Sequence, residues 1–459
     1  MRKTIKIGAS VILLIVAAGL GVLIWWLVTR GDGDEPYTVI QLEGPGYGSS
    51  PYSAAYTRIN NVGEVFWWFY PSLAFAPLTR PLVVWLDGVT GVPPSLLANL
   101  GMIGPHDINL QTRTNSWVNS CSLLFIDAPV GTGFSTPLDN STIPKTVDEN
   151  VEHLLTVLES FYSVNVAYRG APLYIFGQAD GAKSAAALAI KLNELKQART
   201  ESDIEPINIQ GIAIGNGIIS PATVMQRLGF YLDELGYLND NGRSAIEALA
   251  QETNTLVNSG NFEEAFDNFL SLGTFVNENA GAVAVDLKYI VDKLTRESLQ
   301  NTDLFGQRSY IDRIFIKNSF DYMNSVVAQA LGITSSVSYD ANRDAVIEAA
   351  RSSFMKPFTN QIEYILQNTT LHITIYNGNL DAVSNTPGQL DWVENLQWNG
   401  QNEFRNSDRN TLVVERLIEG YFRATPRLKF FWVNAAGQSA PLDNPAAMLR
   451  FLPMMIGIE

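Results

Sequence analysis

The stretch from Leu173 to Lys183 has the glycine spacing of a turn that carries a catalytic nucleophile. Four apolar residues end at Gly177, and Gly181 opens an alanine-rich segment typical of a helix. Glycine is needed at both positions because strand and helix pass too close together there for side chains. The residue midway between them is Ala179, which has no oxygen or sulfur to attack an acyl carbon. The stretch therefore predicts the frame of a hydrolase without its reacting atom.

The elements that must position this turn are visible as apolar runs and helical periods. Continuous apolar runs predict strands buried on both faces, as parallel strands are. Strands are expected at residues 37–42, 65–70, 81–86, 123–126, 173–177, 207–214, 371–376 and 428–433. Thr146 and Glu149 form a capping box that opens a helix. Buried strands that alternate with helices predict an α/β fold with a mostly parallel sheet.

The character of the sequence changes at about Pro221, where amphipathic helical pieces replace the apolar runs as far as Arg351. This block predicts a helical insertion into the α/β core. The expected organisation is a cytoplasmic N-terminus at 1–6, a transmembrane helix at 7–28, a linker at 29–36, a first core segment at 37–220, a helical cap insertion at 221–351 and a second core segment at 352–459.

Residues 7–28 carry no charged side chain and are numerous enough to cross a bilayer. Arg2, Lys3 and Lys6 precede them, so the N-terminus is expected to stay in the cytoplasm and the bulk of the chain to be lumenal or extracellular. An uncleaved signal-anchor is favoured; the alternative is a long signal peptide whose cleavage releases a secreted protein. The glycosylation sequons at Asn140 and Asn368 agree with this topology.

Composition excludes several classes of function. Hydrophobic residues make up 46% and charged residues 17%, which suits a globular protein with a sizeable core. The net charge is -15 and no basic cluster follows the N-terminus, so no nucleic-acid partner is expected. The single cysteine, Cys121, lies in an apolar run and predicts a buried thiol. No metal-ligand spacing, P-loop or dinucleotide motif is present, so no cofactor is expected.

In combination, eight motifs give the chain a resemblance to the serine carboxypeptidase family, and within it to the retinoid-inducible serine carboxypeptidase branch. They lie at residues 66–70, 81–88, 103–105, 124–135, 174–183, 215–221, 376–381 and 441–445. Each is weak alone, but their joint order and spacing are specific. The resemblance implies an α/β-hydrolase fold with a helical cap, in the secretory pathway or a lysosome.

The family pattern also assigns the catalytic positions. Its serine motif, G-E-S-Y-x-G, places Ala179 in the nucleophile slot. Its histidine motif, G-H-x-x-P, places Gln438 in the base slot, and glutamine cannot act as a general base near neutral pH. Only the aspartate remains, as Asp381, and it is expected to be a capping or turn residue now.

The resemblance places the oxyanion-hole N–H groups at Val89 and Asp180. A side chain at position 89 would crowd the turn, and an anionic Asp180 would oppose a developing oxyanion. A solvated turn residue is the equal alternative for Asp180. The positions that bind a substrate carboxylate in the family are Asp87, Met102 and Gln178, so capture of a peptide C-terminus is expected to be lost.

These changes predict a membrane-anchored pseudoenzyme that binds a peptide or protein partner, or serves as a lumenal scaffold. The alternative is an active serine-type carboxypeptidase or hydrolase with relocated residues. Thr90, Ser95 and Ser184 would still lack a histidine, and Asp180 is one residue out of register for a nucleophile. Structural roles are therefore favoured for all four residues.

Overall fold

In the computed structural model of the chain, residues 36–198, 206–281, 285–292 and 318–458 are described. Within them, a 12-stranded sheet has the order β1-β2-β3-β5-β4-β7-β8-β9-β12-β11-β10, and β6 pairs with β3. Strands β1 to β12 are, in chain order, Tyr37–Gln41, Ser53–Ile59, Gly63–Tyr70, Leu82–Leu86, Ser122–Ile126, Thr136–Pro137, Leu173–Gln178, Ile209–Gly215, His372–Gly378, Asn410–Val414, Leu417–Ala424 and Leu428–Val433.

The centre of the sheet is parallel and both of its flanks are antiparallel. Strands β5, β4, β7, β8, β9 and β12 pair in parallel, whereas β1, β2 and β3 on one side and β10 and β11 on the other pair antiparallel. All five residues of β4 are buried, and alternate side chains such as Val84 and Trp85 enter different cores. The predicted α/β fold with a mostly parallel sheet is confirmed.

Along the chain, helices connect the strands of the parallel region. Those described, α1 to α14, are Val147–Val164, Gly181–Ala198, Pro221–Met225, Leu228–Glu234, Asp240–Asn258, Phe262–Asn279, Ser319–Tyr322, Ala328–Leu331, Arg343–Ala350, Thr359–Asn368, Thr386–Glu394, Gln401–Asn406, Ala440–Asp443 and Pro445–Ile456. Two further segments, Leu97–Ile103 and Met323–Val327, are π-helical. The capping box at the start of α1 is confirmed, with Thr146 and Glu149 exchanging hydrogen bonds.

Three apolar clusters hold these layers together. Helices α1 and α2 cover one face of the sheet through residues such as Leu158 and Leu188, and α14 covers the other through Phe451. The third cluster joins helices inserted between β8 and β9 to the carboxyl ends of the parallel strands, and Ala179 belongs to it. Burial of side chains of this size is the main stabilising contribution of such layers.

Some expectations differ from the structure or fall outside it. Strand β2 carries no continuous apolar run because Ser53, Thr57 and Arg58 interrupt it, and it is not predicted. The hairpin β10–β11 is not predicted either, because much of it is exposed and it lacks a continuous apolar run. Cys121 is buried as expected, and burial raises the pKa of its thiol. The predicted span at 7–28 lies outside the described residues. Among the described residues, no helix combines the length and apolar character needed to cross a bilayer.

Candidate functional site

The predicted turn joins β7 to α2 with the geometry that the glycine spacing indicates. Ala179 has φ 50°, a left-handed conformation that costs an alanine roughly 1–2 kcal/mol. A Cβ on Gly177 would lie 2.5 Å from Ala182 Cα, and one on Gly181 would lie 2.6 Å from the carbonyl carbon of Asp87. The chain therefore retains the strained strand-to-helix turn that raises a nucleophile in α/β-hydrolases.

Ala179 is fully buried in an apolar environment. Its N–H donates to the Gly215 carbonyl at 3.1 Å, and its carbonyl accepts from the Ile218 N–H at 2.9 Å. Its apolar cluster also contains Val89 from the loop after β4, Ala382 from the loop after β9, and apolar side chains of the inserted helices. The methyl group thus occupies a packed interior where a reactive hydroxyl would face neither solvent nor a base.

The carboxylate of Asp180 binds one of the two N–H groups predicted to form the oxyanion hole, that of Val89. Asp180 Oδ2 accepts the Val89 N–H at 2.9 Å, and Oδ1 accepts the Thr90 N–H at 2.8 Å. The Thr90 hydroxyl donates to the same Oδ1. Asp180 lies in the turn before α2 and is half-buried, and its carboxylate is bound to the loop after β4. The carboxylate therefore binds one of the two donors predicted for a substrate oxyanion, the Val89 N–H.

Two supporting residues of this arrangement were not recognised in the sequence. Thr90 stands where the family motif W-x-N-G-G-P-G has proline, which has no N–H, so the change adds a donor for Asp180. Arg343, at the start of α9, donates from Nη2 to the Val89 carbonyl at 2.9 Å. Both contacts fix the loop after β4. The replacement of the motif proline by Thr90 is the feature of the sequence that indicates the first of them.

Asp381 is fully buried in the loop after β9. Its Oδ2 accepts from Asn216 Nδ2 at 2.8 Å and its Oδ1 from the Ser384 N–H at 3.1 Å. Burial raises the pKa of Asp381 to about 7, and the hydrogen bonds oppose that shift. The carboxyl group therefore binds one residue of its own loop, Ser384, and one of the loop after β8, Asn216. These bonds are compatible with the expected role as a turn residue.

A segment of the insertion, residues 285–292, lies between the Asp381 loop and the Gln438 loop. The Leu287 carbonyl accepts the N–H groups of Ala382 and Val383 at 2.8 Å and 3.3 Å. The Lys288 carbonyl accepts the Gln438 N–H at 2.8 Å. Gln438 itself is buried. The segment therefore bridges the two loops that would carry the acid and the base of a triad.

The former carboxylate-binding positions are also buried. Asp87 and Gln178 contact each other, with Gln178 Nε2 donating to Asp87 Oδ2 at 3.2 Å, whereas Met102 packs into an apolar core. Burial, followed by the charge of Asp180, raises the pKa of Asp87 well above its usual range. Asp87 Oδ1 has no hydrogen-bond partner within the described part of the chain.

The residues considered as substitutes for the missing base and nucleophile make other contacts. His106 Nε2 accepts the Ser49 and Ser50 N–H groups, and His153 lies on α1. His372 begins β9, roughly 20 Å along the strand from the loop of Asp381. The Ser95 hydroxyl donates to buried Asp127 at 2.7 Å, and the Ser184 hydroxyl accepts from Asn150 Nδ2 at 3.0 Å; these two contacts and the Thr90–Asp180 bond are structural.

Buried carboxyl groups make stability depend on pH. Burial raises the pKa values of Asp381, Asp127 and Asp443 from 3.8 to about 7. Between about pH 4 and pH 7 the folded chain holds protons that the unfolded chain releases, so stability falls as pH rises. We expect the free energy of unfolding to be lower at pH 8 than at pH 5, by about 2–3 kcal/mol for each of these groups.

Urea unfolding across this pH range measures the effect. The Asp381→Asn variant should have a shallower slope, because it cannot take up the proton. Asp139→Asn is the control, since Asp139 is exposed and hydrogen bonds from Ser141 lower its pKa. A slope of the opposite sign would show that these carboxyl groups are ionised in the folded chain.

Comparison with known proteins places this geometry in a family. The sequence profile described as serine carboxypeptidase matches residues 46–457. The retinoid-inducible serine carboxypeptidase of Rattus norvegicus is 27% identical over 416 residues, which cover 87% of this chain and 90% of that protein. Serine carboxypeptidase-like 51 of Arabidopsis thaliana is 26% identical over 420 residues, with coverage of 86% and 90%.

A solved structure supports the fold. The crystal structure of a prohormone-processing carboxypeptidase from Saccharomyces cerevisiae superposes with a TM-score of 0.75 at 19% identity, covering 91% of this chain and 95% of that one. With the matched profile spanning nearly the whole described region, the α/β-hydrolase fold and the retained turn have one explanation: the chain belongs to the serine carboxypeptidase family.

Proposed function

We propose that this chain is a serine-carboxypeptidase-like pseudoenzyme that acts by binding or scaffolding rather than by peptide hydrolysis. The observation that carries the proposal is the Asp180 carboxylate on the N–H groups of Val89 and Thr90. A substrate oxyanion would have to displace this negative charge from the Val89 N–H, which already binds it. Preorganised donors at this position are worth about 3–4 kcal/mol of transition-state stabilisation in hydrolases of this kind.

The other changes act in the same direction. Ala179 supplies no nucleophile and Gln438 supplies no base. Loss of such a unit lowers rates by about a million-fold in a well-studied triad. The segment at 285–292 further joins the loops between which a substrate would lie. The partner that fits this proposal is a peptide or protein, bound without cleavage.

Hydrolysis of blocked dipeptides by the purified full chain tests the proposal. We expect a rate indistinguishable from that of the Asp381→Ala variant, because none of the residues that the structure describes completes a triad. An active serine-type carboxypeptidase or hydrolase with relocated residues is the competing function. It would be supported by a rate above this background that Ala179→Gly, a change at the turn, abolishes.

We further propose that the protein is anchored in the membrane by residues 7–28, with its α/β domain lumenal or extracellular. The uncharged span and the preceding basic residues support this topology. Asn140 and Asn368 are both exposed, as glycan acceptors must be. Glycosidase treatment of the cellular protein should increase its mobility, and Asn140→Gln with Asn368→Gln should abolish that increase. An unglycosylated protein that protease reaches from the cytoplasmic side would contradict the topology.

A further inference from the structure

A cavity of about 50 Å³ lies beside the turn, and Asp381 is not among its lining residues. Its walls come from the loop after β4, the first turns of α1 and α2, and the end of α9 with the residues that follow it. The lining residues that matter for binding are Val89, Asn150, Asp180, Lys183, Ser184 and Phe354. A single water needs about 10–15 Å³ by this measure, so the space admits roughly four or five small atoms.

Two polar side chains in this cavity present a complementary pair. Asn150 Nδ2 donates to Ser184 Oγ at 3.0 Å, which leaves the Ser184 hydroxyl hydrogen available as a donor. Asn150 Oδ1 is buried and has no partner among the residues that the structure describes, so it is an available acceptor. Asn150 is 7% exposed and Ser184 8% exposed. An unsatisfied buried acceptor costs about 1–3 kcal/mol, which a bound donor would recover.

Two charged side chains of the cavity, Asp180 and Lys183, are hydrogen-bonded within the protein, and a third, Lys145, is exposed. The Asp180 carboxylate is bound by Val89 and Thr90. Lys183 Nζ donates to the carbonyl groups of Phe354 and Lys356, the latter at 2.9 Å, and lies over the Phe354 ring. Because Asp180 and Lys183 are of opposite charge, a charged ligand of either sign would meet one of them as a like charge after losing its hydration. Most of the remaining lining surface is apolar, so a neutral ligand fits best.

We propose that this cavity is a binding site for a small neutral amide with a short aliphatic body. The amide N–H would donate to Asn150 Oδ1, and its carbonyl would accept from the Ser184 hydroxyl. The aliphatic part would contact Val89 and Phe354. None of Ala179, Asp381 and Gln438 lines the cavity, but Val89 and Asp180, the predicted oxyanion-hole positions, do.

Saturation-transfer NMR on the purified full chain tests the site with four probes of similar size: propionamide, butanone, propionate and propylamine. Propionamide should bind in the millimolar range, as expected for a ligand of five heavy atoms. Butanone lacks the N–H for Asn150, and the other two probes are charged, so all three should bind at least about fivefold more weakly.

The Ser184→Ala variant should weaken propionamide about five- to tenfold by removing the hydroxyl donor. Ser163→Ala is the matched control, because that hydroxyl on α1 bonds to the Ser160 carbonyl away from the cavity and its loss should change nothing. Crystals soaked in propionamide should show its amide between Asn150 and Ser184. Equal binding of the four probes, unchanged binding by Ser184→Ala, or water alone in the cavity would overturn the site.

Discussion

The Gly177→Ala variant is expected to lose about 4 kcal/mol or more of its free energy of unfolding, measured by urea denaturation. The added Cβ would lie 2.5 Å from both Ala182 Cα and the Gly181 carbonyl oxygen. Both are backbone atoms at the start of α2, so neither can rotate away as a side chain would. Strand and helix would have to separate, which opens the packed layer between β7 and α2.

Gly260→Ala is the control for this experiment. Gly260, unlike Gly177, has a left-handed backbone, with φ +82°, and a Cβ there would meet no atom within 4 Å. The control should therefore lose only about 1–2 kcal/mol through backbone strain. Equal losses in the two variants would show that the close approach of β7 and α2 costs the Gly177 variant no more than backbone strain costs an open site. The expected clash at Gly177 would then be contradicted.

The Asp180→Ala variant is expected to lose about 3 kcal/mol of its free energy of unfolding, because three donors lose their charged acceptor. These donors are the Val89 N–H, the Thr90 N–H and the Thr90 hydroxyl. They lie in the loop that Arg343 also holds through the Val89 carbonyl. Water can replace only part of the lost bonding, since Asp180 is half-buried and Val89 is buried.

A matched aspartate separates this effect from the general cost of removing an acceptor. Asp139 also accepts a backbone N–H and a hydroxyl, both from Ser141, but it is exposed. Asp139→Ala should therefore cost much less than Asp180→Ala. If Asp180→Ala were neutral or stabilising, the carboxylate would not stabilise the loop after β4. The interpretation of Asp180 as the acceptor that holds this loop would then fail.

The sequence predicts the parallel centre of the sheet well because burial on both faces leaves a plain apolar run. Strand β4, for example, is buried at every residue and pairs with β5 and β7. The hairpin β10–β11 lacks this signal, since residues such as Val413 and Leu417 are exposed at the edge of the sheet. Its turn at Glu415 and Arg416 has two positive φ angles without glycine, so the usual turn composition is missing as well.

The sequence predicts which catalytic groups the candidate site lacks, but it does not predict the hydrogen bonds within the site. Ala179 and Gln438 follow directly from the motifs, since the missing atoms can be read from the residue type. The hydrogen bonds of Asp180 cannot be predicted in this way, because they depend on the loop after β4 lying within hydrogen-bond distance of the turn before α2. The bridge formed by Leu287 and Lys288 is equally hidden, because it uses backbone carbonyl groups that any sequence supplies.

Labelling with a fluorophosphonate probe tests the absence of catalysis most directly, because the probe reacts with activated serine hydroxyl groups rather than with any one substrate. Intact-mass measurement of the purified full chain after treatment should show no probe adduct, since Ala179 has no hydroxyl group and the serines within the described ranges lack a general base. Stoichiometric labelling at a single serine, lost when that residue is replaced by alanine, would contradict the pseudoenzyme proposal and identify a relocated nucleophile.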